Sequence, residues 1–287
     1  MKAHVKQWFV QEMAEILEVS RSGYYQFLKG VISKRRGINE QLLAEIKAVH
    51  TRSRQTYGSP RIHKELCATG HGCSRKRIAR LMRASGIRAK MSKKFKVTTK
   101  MDAQAVAAPN RLQQEFEANR PNEKWVSDIT YVWTLEGWLY LAVILDLFSR
   151  KVVGMSMSER LKKEVVVVAL NQALGRRDVS GELLHHSDKG CQYTSSEFQG
   201  LLKKRGITCS MSGTGICFDN AVAESFFHTL KTEHIYFQTY ETREQAKRSI
   251  FEYIEIFYNN QRRHSFLNYQ SPNEFERIYQ LQQNNSL

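Results

Sequence analysis

The stretch from residue 125 to residue 147 reads WVSDITYVWTLEGWLYLAVILDL. Apolar and polar residues alternate along 125–133, which is the pattern of a β-strand with one buried face. A Glu-Gly turn follows, and 138–147 is a nearly continuous apolar run of the kind expected in a buried strand. After a Ser-Arg turn, residues 151–158 predict a third strand. The sequence therefore predicts three consecutive strands joined by hairpins.

The chain after this meander alternates between helices and short strands. Helical spacing predicts helices over 162–174 and 195–204, and short strands follow them at 183–186 and 207–211. An antiparallel meander followed by alternating helices and strands is the element order of the ribonuclease-H-like fold. We therefore predict an α/β core of this type, built on a five-stranded mixed sheet.

A further helix is predicted to begin within residues 218–231, which read FDNAVAESFFHTLK. Its opening Asp-Asn pair supplies good N-cap residues, and we interpret Asn220 as such a cap. Glu224 and Lys231 lie seven residues apart and therefore share one face of the helix. A carboxylate and an ammonium on one face suit a site for a metal and a phosphate, although a solvated polar face has the same pattern.

Three carboxylates occupy related places on these predicted elements. Asp128 lies within the first strand, Asp188 follows the fourth, and Glu224 lies on the helix after the fifth. If the first and fourth strands are neighbours, as this topology requires, the two aspartates meet at one edge of the sheet. Oxygen donors of this kind suit Mg²⁺ or Mn²⁺, and two such ions could stabilise an attacking and a leaving oxygen. Asp146, at the end of the second strand, is instead predicted to fix the following turn.

The N-terminal part of the chain is predicted to be all-α. Residues 7–29 read as helix, tight turn and helix, with Ser20 capping the second helix, and an ordinary helical hairpin is the alternative. Within 38–90 more helices follow, one capped by Ser59 and one that opens at Ser74 with basic residues along one side. Such a side suits phosphate contact, with a solvated basic face as the alternative. The candidates for DNA contact in the whole chain are Arg61, Arg75, Lys76, Arg77, Arg80 and Lys231.

The formal net charge is +16, and it is unevenly distributed. Residues 1–120 hold 25 Lys and Arg against 9 Asp and Glu, whereas 121–287 hold 19 of each. Positive charge confined to one part of a chain predicts a polyanionic partner, most simply nucleic acid. The sequence has no apolar signal region and no run long enough to span a membrane, so we expect a cytoplasmic, nucleoid-associated protein.

These patterns divide the chain into five predicted parts. The segment 91–121 is interpreted as a linker that could follow a DNA backbone or act as a tether. An aromatic amphipathic helix over 251–258 is predicted to pack on the core. The five parts are an N-terminal helix-turn-helix-like segment (1–37), a helical DNA-binding domain (38–90), the basic linker (91–121), the ribonuclease-H-like core (122–240) and a C-terminal helical extension (241–287).

Six short segments carry the strongest motif signals, and they are 57–62 (YGSPRI), 125–131 (WVSDITY), 146–154 (DLFSRKVVG), 186–195 (HSDKGCQYTS), 219–227 (DNAVAESFF) and 258–267 (YNNQRRHSFL). Together they resemble the OrfB-type transposases of bacterial insertion sequences that move by a copy-out, paste-in route. The core also resembles that of retroviral integrases. Asp188 and Glu224 are separated by 35 residues, the spacing of the DD(35)E motif, and Lys231 matches a basic residue that such enzymes carry.

The resemblance implies a metal-dependent DNA transposase, a DDE-type transposase/integrase. Asp128, Asp188 and Glu224 would bind Mg²⁺ or Mn²⁺, as two ions, and Lys231 would contact a phosphate near the scissile bond. The enzyme would cut the ends of its element to expose a 3′-hydroxyl and join that hydroxyl to target DNA by in-line transesterification. The implied partners are element ends, target DNA, further copies of the chain on DNA, and a short upstream protein, separate or fused by frameshifting.

One segment departs from the family pattern, and two other functions fit the same residues. The family often carries basic residues before the glutamate helix, whereas 212–217 reads SGTGIC, which predicts a weaker grip on phosphate. The first alternative function is a ribonuclease-H-like nuclease that hydrolyses DNA without strand transfer. The second is a DNA-binding regulator with an inactive core.

Overall fold

The computed structural model covers most of the chain, and the residues it describes are 1–29, 34–90, 108–179, 182–213 and 217–284. Among them, no helix is both long enough and apolar enough to cross a membrane. The basic half of the predicted linker, 91–107, lies outside the described residues.

The helical region begins with a short 3₁₀ turn, and its described residues continue with α1 (Val10–Ile16), α2 (Arg21–Leu28), α3 (Lys34–Arg52), α4 (Ser59–Ala68) and α5 (Arg75–Ala84). The hydroxyls of Ser20 and Ser74 accept hydrogen bonds from the amides three residues later. The predicted cap at Ser20 is therefore confirmed, and Ser74 caps the helix that was predicted to open there. The predicted cap at Ser59 is wrong. Gly58 takes the extended N-cap conformation, so the helix begins one residue earlier, with a proline in its first turn.

Among the described residues of the core, the strands and α-helices follow in the chain order β1 (Lys124–Thr134), β2 (Gly137–Asp146), β3 (Val152–Ser158), α6 (Glu164–Arg176), β4 (Leu184–Ser187), α7 (Ser196–Lys204), β5 (Thr208–Met211) and α8 (Ala221–Glu233). The strand order in the sheet is β3-β2-β1-β4-β5. The first three strands pair antiparallel, while β4 pairs parallel with β1 and with β5. The predicted mixed sheet of ribonuclease-H-like type is therefore confirmed, with the first and fourth strands as neighbours.

The C-terminal part adds two helices to the core. Helix α9 (Arg243–Phe251) continues directly into a π-helical segment, Glu252–Tyr258, and α10 spans Pro272–Asn284. Tyr253 and Phe257 of the π-helical segment are buried. The prediction that this aromatic stretch packs on the core is therefore confirmed.

Two apolar clusters lie on the two faces of the sheet. One face is covered by α6 and α7, and its cluster includes Trp125, Leu170 and Phe198. The other cluster joins side chains of β1 and β2 to those of α8 and α9, and it extends into α3, α4 and α5. Helices α3, α4 and α5 therefore share one continuous apolar interior with the core.

The described end of the predicted linker also packs against the core. Leu112 is buried, and the backbone amides of Arg111 and Leu112 donate hydrogen bonds of 2.9 and 3.2 Å to the hydroxyl of Ser210 in β5. Residues 108–121 thus lie along the core, because burying Leu112 removes apolar surface from water.

Gly154 on β3 is the point where α6 approaches the sheet most tightly. A Cβ at this position would lie 2.3 Å from the carbonyl oxygen of Ala169 and 2.9 Å from the Cβ of Ala173. We expect Gly154→Ala to lower the free energy of unfolding by roughly 1–3 kcal/mol, the usual cost of overpacking a core. Urea denaturation of both proteins measures this difference in the free energy of unfolding.

The control for this variant is Gly175→Ala in α6, where a Cβ would meet no atom within 4 Å. This change should be neutral or stabilising, because alanine is the better helix former. Equal losses in the two variants would contradict the packing argument.

Candidate active site

The pairing of β1 with β4 brings the two aspartates to one edge of the sheet. The parallel register ends at the pair Val126–His186, and Asp128 and Asp188 each lie two residues beyond it. In a parallel pair, residues at equal distances past the last partners stand level with each other. Beyond this point β1 has no β4 partner, so its free edge opens beside Asp128.

Asp128 carries the most perturbed carboxyl of the site. Its side chain is only partly exposed, and protein atoms surround it. Burial raises its pKa to about 8, together with repulsion from Asp188 and, more weakly, from Glu224. Two groups oppose this rise: the amide of Ile129, which donates a hydrogen bond of 2.7 Å, and the charge of Lys231. The site therefore concentrates negative charge that the protein itself does not neutralise.

Asp188 is held by the turn that follows β4. Its Oδ1 accepts a hydrogen bond of 3.0 Å from the backbone amide of Gly190. Burial raises the pKa of Asp188 above its usual range, and this hydrogen bond opposes the shift. The aspartate therefore closes the turn with one oxygen, and this bond fixes the direction of the carboxylate.

Glu224 lies in the first turn of α8 and is exposed. Its charge reaches Asp128, and partial burial raises its own pKa. Within the described part of the chain, no three His, Cys, Asp or Glu side chains form a group that could hold a metal ion. The sheet thus supplies a pair of carboxylates that suits a divalent cation by donor type and charge, and the helix holds the third nearby.

Lys231 lies two helical turns further along α8 and is buried. Its Nζ lies 5.1 Å from the centroid of the Tyr131 ring, beside the free edge of β1. Burial lowers the pKa of Lys231, while the charge of Asp128 raises it. A cation is therefore placed next to the carboxylates from the same helix that carries Glu224.

The start of α8 is tied to β1 in a way that the sequence did not reveal. Asn220 occupies the N-cap position but makes no side-chain cap, so that prediction is wrong. Its Nδ2 instead donates a hydrogen bond of 3.1 Å to the carbonyl oxygen of Ser127, the residue before Asp128. Asp219 accepts hydrogen bonds from Asn110, Gln114 and the amide at 213, which anchors the loop before the helix. Residues 214–216 of the neutral loop lie outside the described residues.

Tyr193 was missed by sequence reasoning and lies directly behind the site. Its ring is buried on the α7 side of the sheet, where it contacts the rings of Phe198 and His185. Burial, then the charges of Asp128 and Asp188, holds the pKa of its phenol well above the usual value. Its place five residues after Asp188 in the quoted motif was the one available signal.

Asp146 has the structural role that was predicted for it. Its Oδ1 accepts a hydrogen bond of 2.9 Å from the amide of Phe148 in the following turn. Its Oδ2 accepts one of 2.8 Å from the amide of Asn122. Burial raises its pKa to about 6, although these hydrogen bonds lower it.

The candidate DNA contacts of the helical region fall into two groups. Arg75, Lys76 and Arg80 are exposed along α5. Arg77 donates to the side-chain oxygen of Asn39 at 2.9 and 2.7 Å, and Arg61 pairs with Glu233 at 3.3 Å. Three of the five thus face solvent, whereas the other two have partners within the protein.

The chain matches known families over most of its length. Residues 38–95 match a family described as HTH-like domain, and 118–217 and 224–278 match two described as Integrase core domain. It is 43% identical, over 93% of its own length and 98% of the relative, to the insertion element IS600 uncharacterized 31 kDa protein of Shigella sonnei. It is 41% identical, over 96% of both chains, to the transposase InsF for insertion sequence IS3A of Escherichia coli strain K12.

A solved structure of a simian T-cell lymphotropic virus intasome in complex with a PP2A regulatory subunit matches with a TM-score of 0.48 and 16% identity, over 81% of this chain and 74% of that one. The fold and the sequence relatives define a transposase with an integrase core domain and an HTH-like domain. The chain belongs to the IS3 family of insertion-sequence transposases.

The raised pKa of Asp128 predicts a pH-dependent penalty on the metal-free fold. Between its ordinary value of 3.8 and about 8, the unfolded chain releases the proton while the folded chain retains it, so stability falls as pH rises through this window. Asp128→Asn removes the penalty. In EDTA, its unfolding free energy relative to wild type should therefore rise from pH 4 to pH 8.

Denaturant titrations at several pH values check this expectation. Asp178→Asn, at an exposed position, is the control and should follow the wild-type profile. A constant difference between Asp128→Asn and wild type across the window would contradict it.

Proposed function

We propose that the chain is a Mg²⁺- or Mn²⁺-dependent DD(35)E transposase in which Asp128, Asp188 and Glu224 bind the metal ions. The observation that supports this most is the crowding of two carboxylates, one within β1 and one just after β4, beside the point where the parallel pairing ends, with the pKa of Asp128 raised to about 8. Such repulsion is relieved by a divalent cation with oxygen preference. When bound, a pair of ions would stabilise charge on the attacking and leaving oxygens of a phosphodiester.

The reaction we propose has two steps at the same site. Water first cuts the element end and leaves a 3′-hydroxyl, and that hydroxyl then attacks a target phosphodiester in line. Lys231, buried beside Asp128, would hold a non-bridging phosphate oxygen and orient the strand. No serine or tyrosine nucleophile is needed, because the oxygen that attacks comes from water or from DNA.

The partners follow from the same proposal. Helix α5 would bind element ends through Arg75, Lys76 and Arg80, and the carboxylate edge would receive both the end and the target. We further propose that several copies assemble on DNA, in the cytoplasm and on the nucleoid. A short upstream protein, separate or fused, would contribute to recognition of the ends.

Replacing Glu224 by Gln, or Asp128 or Asp188 by Asn, should abolish both end cutting and joining while DNA binding persists, because each change removes a metal-binding charge. The measurement is the joining of a labelled element end to a target plasmid in Mg²⁺ or Mn²⁺. Glu241→Gln and Asp178→Asn, which change exposed carboxylates, are the matched controls and should retain activity.

The outcomes also separate the alternative functions. A wild-type protein that cuts ends without joining them would be a nuclease. One that binds ends without cutting, under conditions where a relative is active, would be a regulator. Joining by Glu224→Gln would contradict the role of that residue.

Replacing Arg75, Lys76 and Arg80 together by Gln should weaken the binding of the full chain to DNA. The plot of log affinity against log salt should also become less steep, by about 0.9 for each phosphate that the variant no longer neutralises. The control is the triple change Lys203→Gln, Lys204→Gln and Arg205→Gln, which removes the same charge from an exposed part of the core. Equal weakening by both triples in a mobility-shift assay would move the DNA contact away from α5.

A further inference from the structure

A buried ion-pair network joins the helical region to the C-terminal end of α8. Its centre is Glu233, the last residue of α8, whose side chain is 11% exposed. Arg262 donates to both oxygens of this carboxylate at 2.7 Å, and Tyr253 donates at 3.0 Å. Arg61 of α4 adds a further contact at 3.3 Å. Burial raises the pKa of Glu233, but these donors outweigh it and hold the pKa below its usual value.

A second set of contacts holds α4 against the chain that follows the π-helical segment. Glu65, four residues after Arg61 on α4, forms an ion pair with Arg263. The hydroxyl of Tyr57 accepts a hydrogen bond of 2.7 Å from the amide of Arg263 and donates one of 3.1 Å to the carbonyl oxygen of Gln261. The segment around Arg263 is thus bound through both its backbone and its side chain.

Apolar packing continues across the same contact. Ile62 and Leu66 of α4 belong to the cluster that also contains Phe226 and Leu230 of α8. Separating the two parts would expose this cluster. It would also remove Arg61 from Glu233, which would keep Arg262 and Tyr253 as partners. Helices α3, α4 and α5 should therefore move with α8 as one body.

We propose that this network is an interdomain clasp that fixes the distance between α5 and the carboxylate edge, and thereby selects the phosphodiester that is cut. The inference rests on the proposed function, in which α5 binds the element end and α8 carries Glu224 and Lys231. Helix α5 packs against α4, so the position of α4 sets that of α5. Successive phosphates of one DNA strand are displaced by about 3.4 Å along the helix axis, so a shift of that size along the axis presents a neighbouring bond. Arg61 and Glu65 are then positioning residues.

The test compares full-length Glu65→Arg, Arg263→Glu and the double variant with both changes. Arg248→Glu, which breaks an exposed ion pair on α9, is the matched control. Each protein is incubated with a labelled element end, and the 3′ ends of the products are mapped to the nucleotide. Each single variant should spread the cuts over neighbouring phosphodiesters with little change in end affinity. The double variant should move the cuts back towards the single wild-type position, because it re-forms an ion pair of reversed polarity, although Arg52, which pairs with Glu65 at 2.9 Å, then faces an arginine.

The Arg61→Gln variant distinguishes a role of Arg61 in the clasp from a direct contact of Arg61 with DNA. It should also spread the cuts while end affinity stays near the wild-type value. Reduced affinity with an unchanged cut position would instead return Arg61 to the DNA-contact residues and count against the clasp.

Hydrogen exchange on the DNA-free proteins tests the clasp without any chemistry. The amides of α4 should exchange faster in each single variant, recover in the double variant and remain unchanged in Arg248→Glu. If the wild-type chain cuts no element end, the proposed function fails, while exchange still decides whether the clasp exists. Unchanged exchange in α4, or a single cut position in both single variants, would overturn the proposal.

Discussion

The parallel pairing of β4 with β1 is the constraint on which the candidate site depends. It is short, ending at Val126 and His186, and it places Asp128, within β1, level with Asp188, which follows the end of β4. A register slip of one residue would turn one side chain to the opposite face and separate the carboxylates. The antiparallel hairpins on the other side of β1 hold that strand in place, so the register is set from both edges.

Asp146 and Asp128 show how the surroundings of a carboxylate differ between a structural position and the candidate site. Asp146 receives two backbone amides and lies 3.9 Å from the guanidinium of Arg177, so its charge is accommodated in the fold. Asp128 receives one amide and lies near like charges, and its pKa rises further. Charge that the protein leaves uncompensated is a cost to stability and an opportunity for binding a cation.

Basic residues of this protein have two kinds of surroundings, solvent and buried ion pairs. Those on the outer side of α5 face solvent, where a polyanion can reach them. Arg61 of α4 and the arginines at 262 and 263 instead form ion pairs with Glu233 and Glu65, and these join the helical region to the core. Net charge alone cannot distinguish the solvent-facing residues from the ion-paired ones, since each basic residue contributes equally to it.

The sequence by itself predicted the strands, their order along the chain and several helices, because alternation, apolar runs and cap residues are local signals. The three carboxylates were proposed from their places on these elements and from the DD(35)E spacing that the resemblance supplied. It could not determine that Asn220 would bond the carbonyl of Ser127, or that Arg61 would face Glu233, because those partners are 93 and 172 residues away. Tyr193 escaped notice for the same reason, since its nearness to both aspartates arises only when β4 pairs with β1. Tertiary structure decided which polar groups meet, because burial forces each of them to find a partner that the chain supplies only after folding.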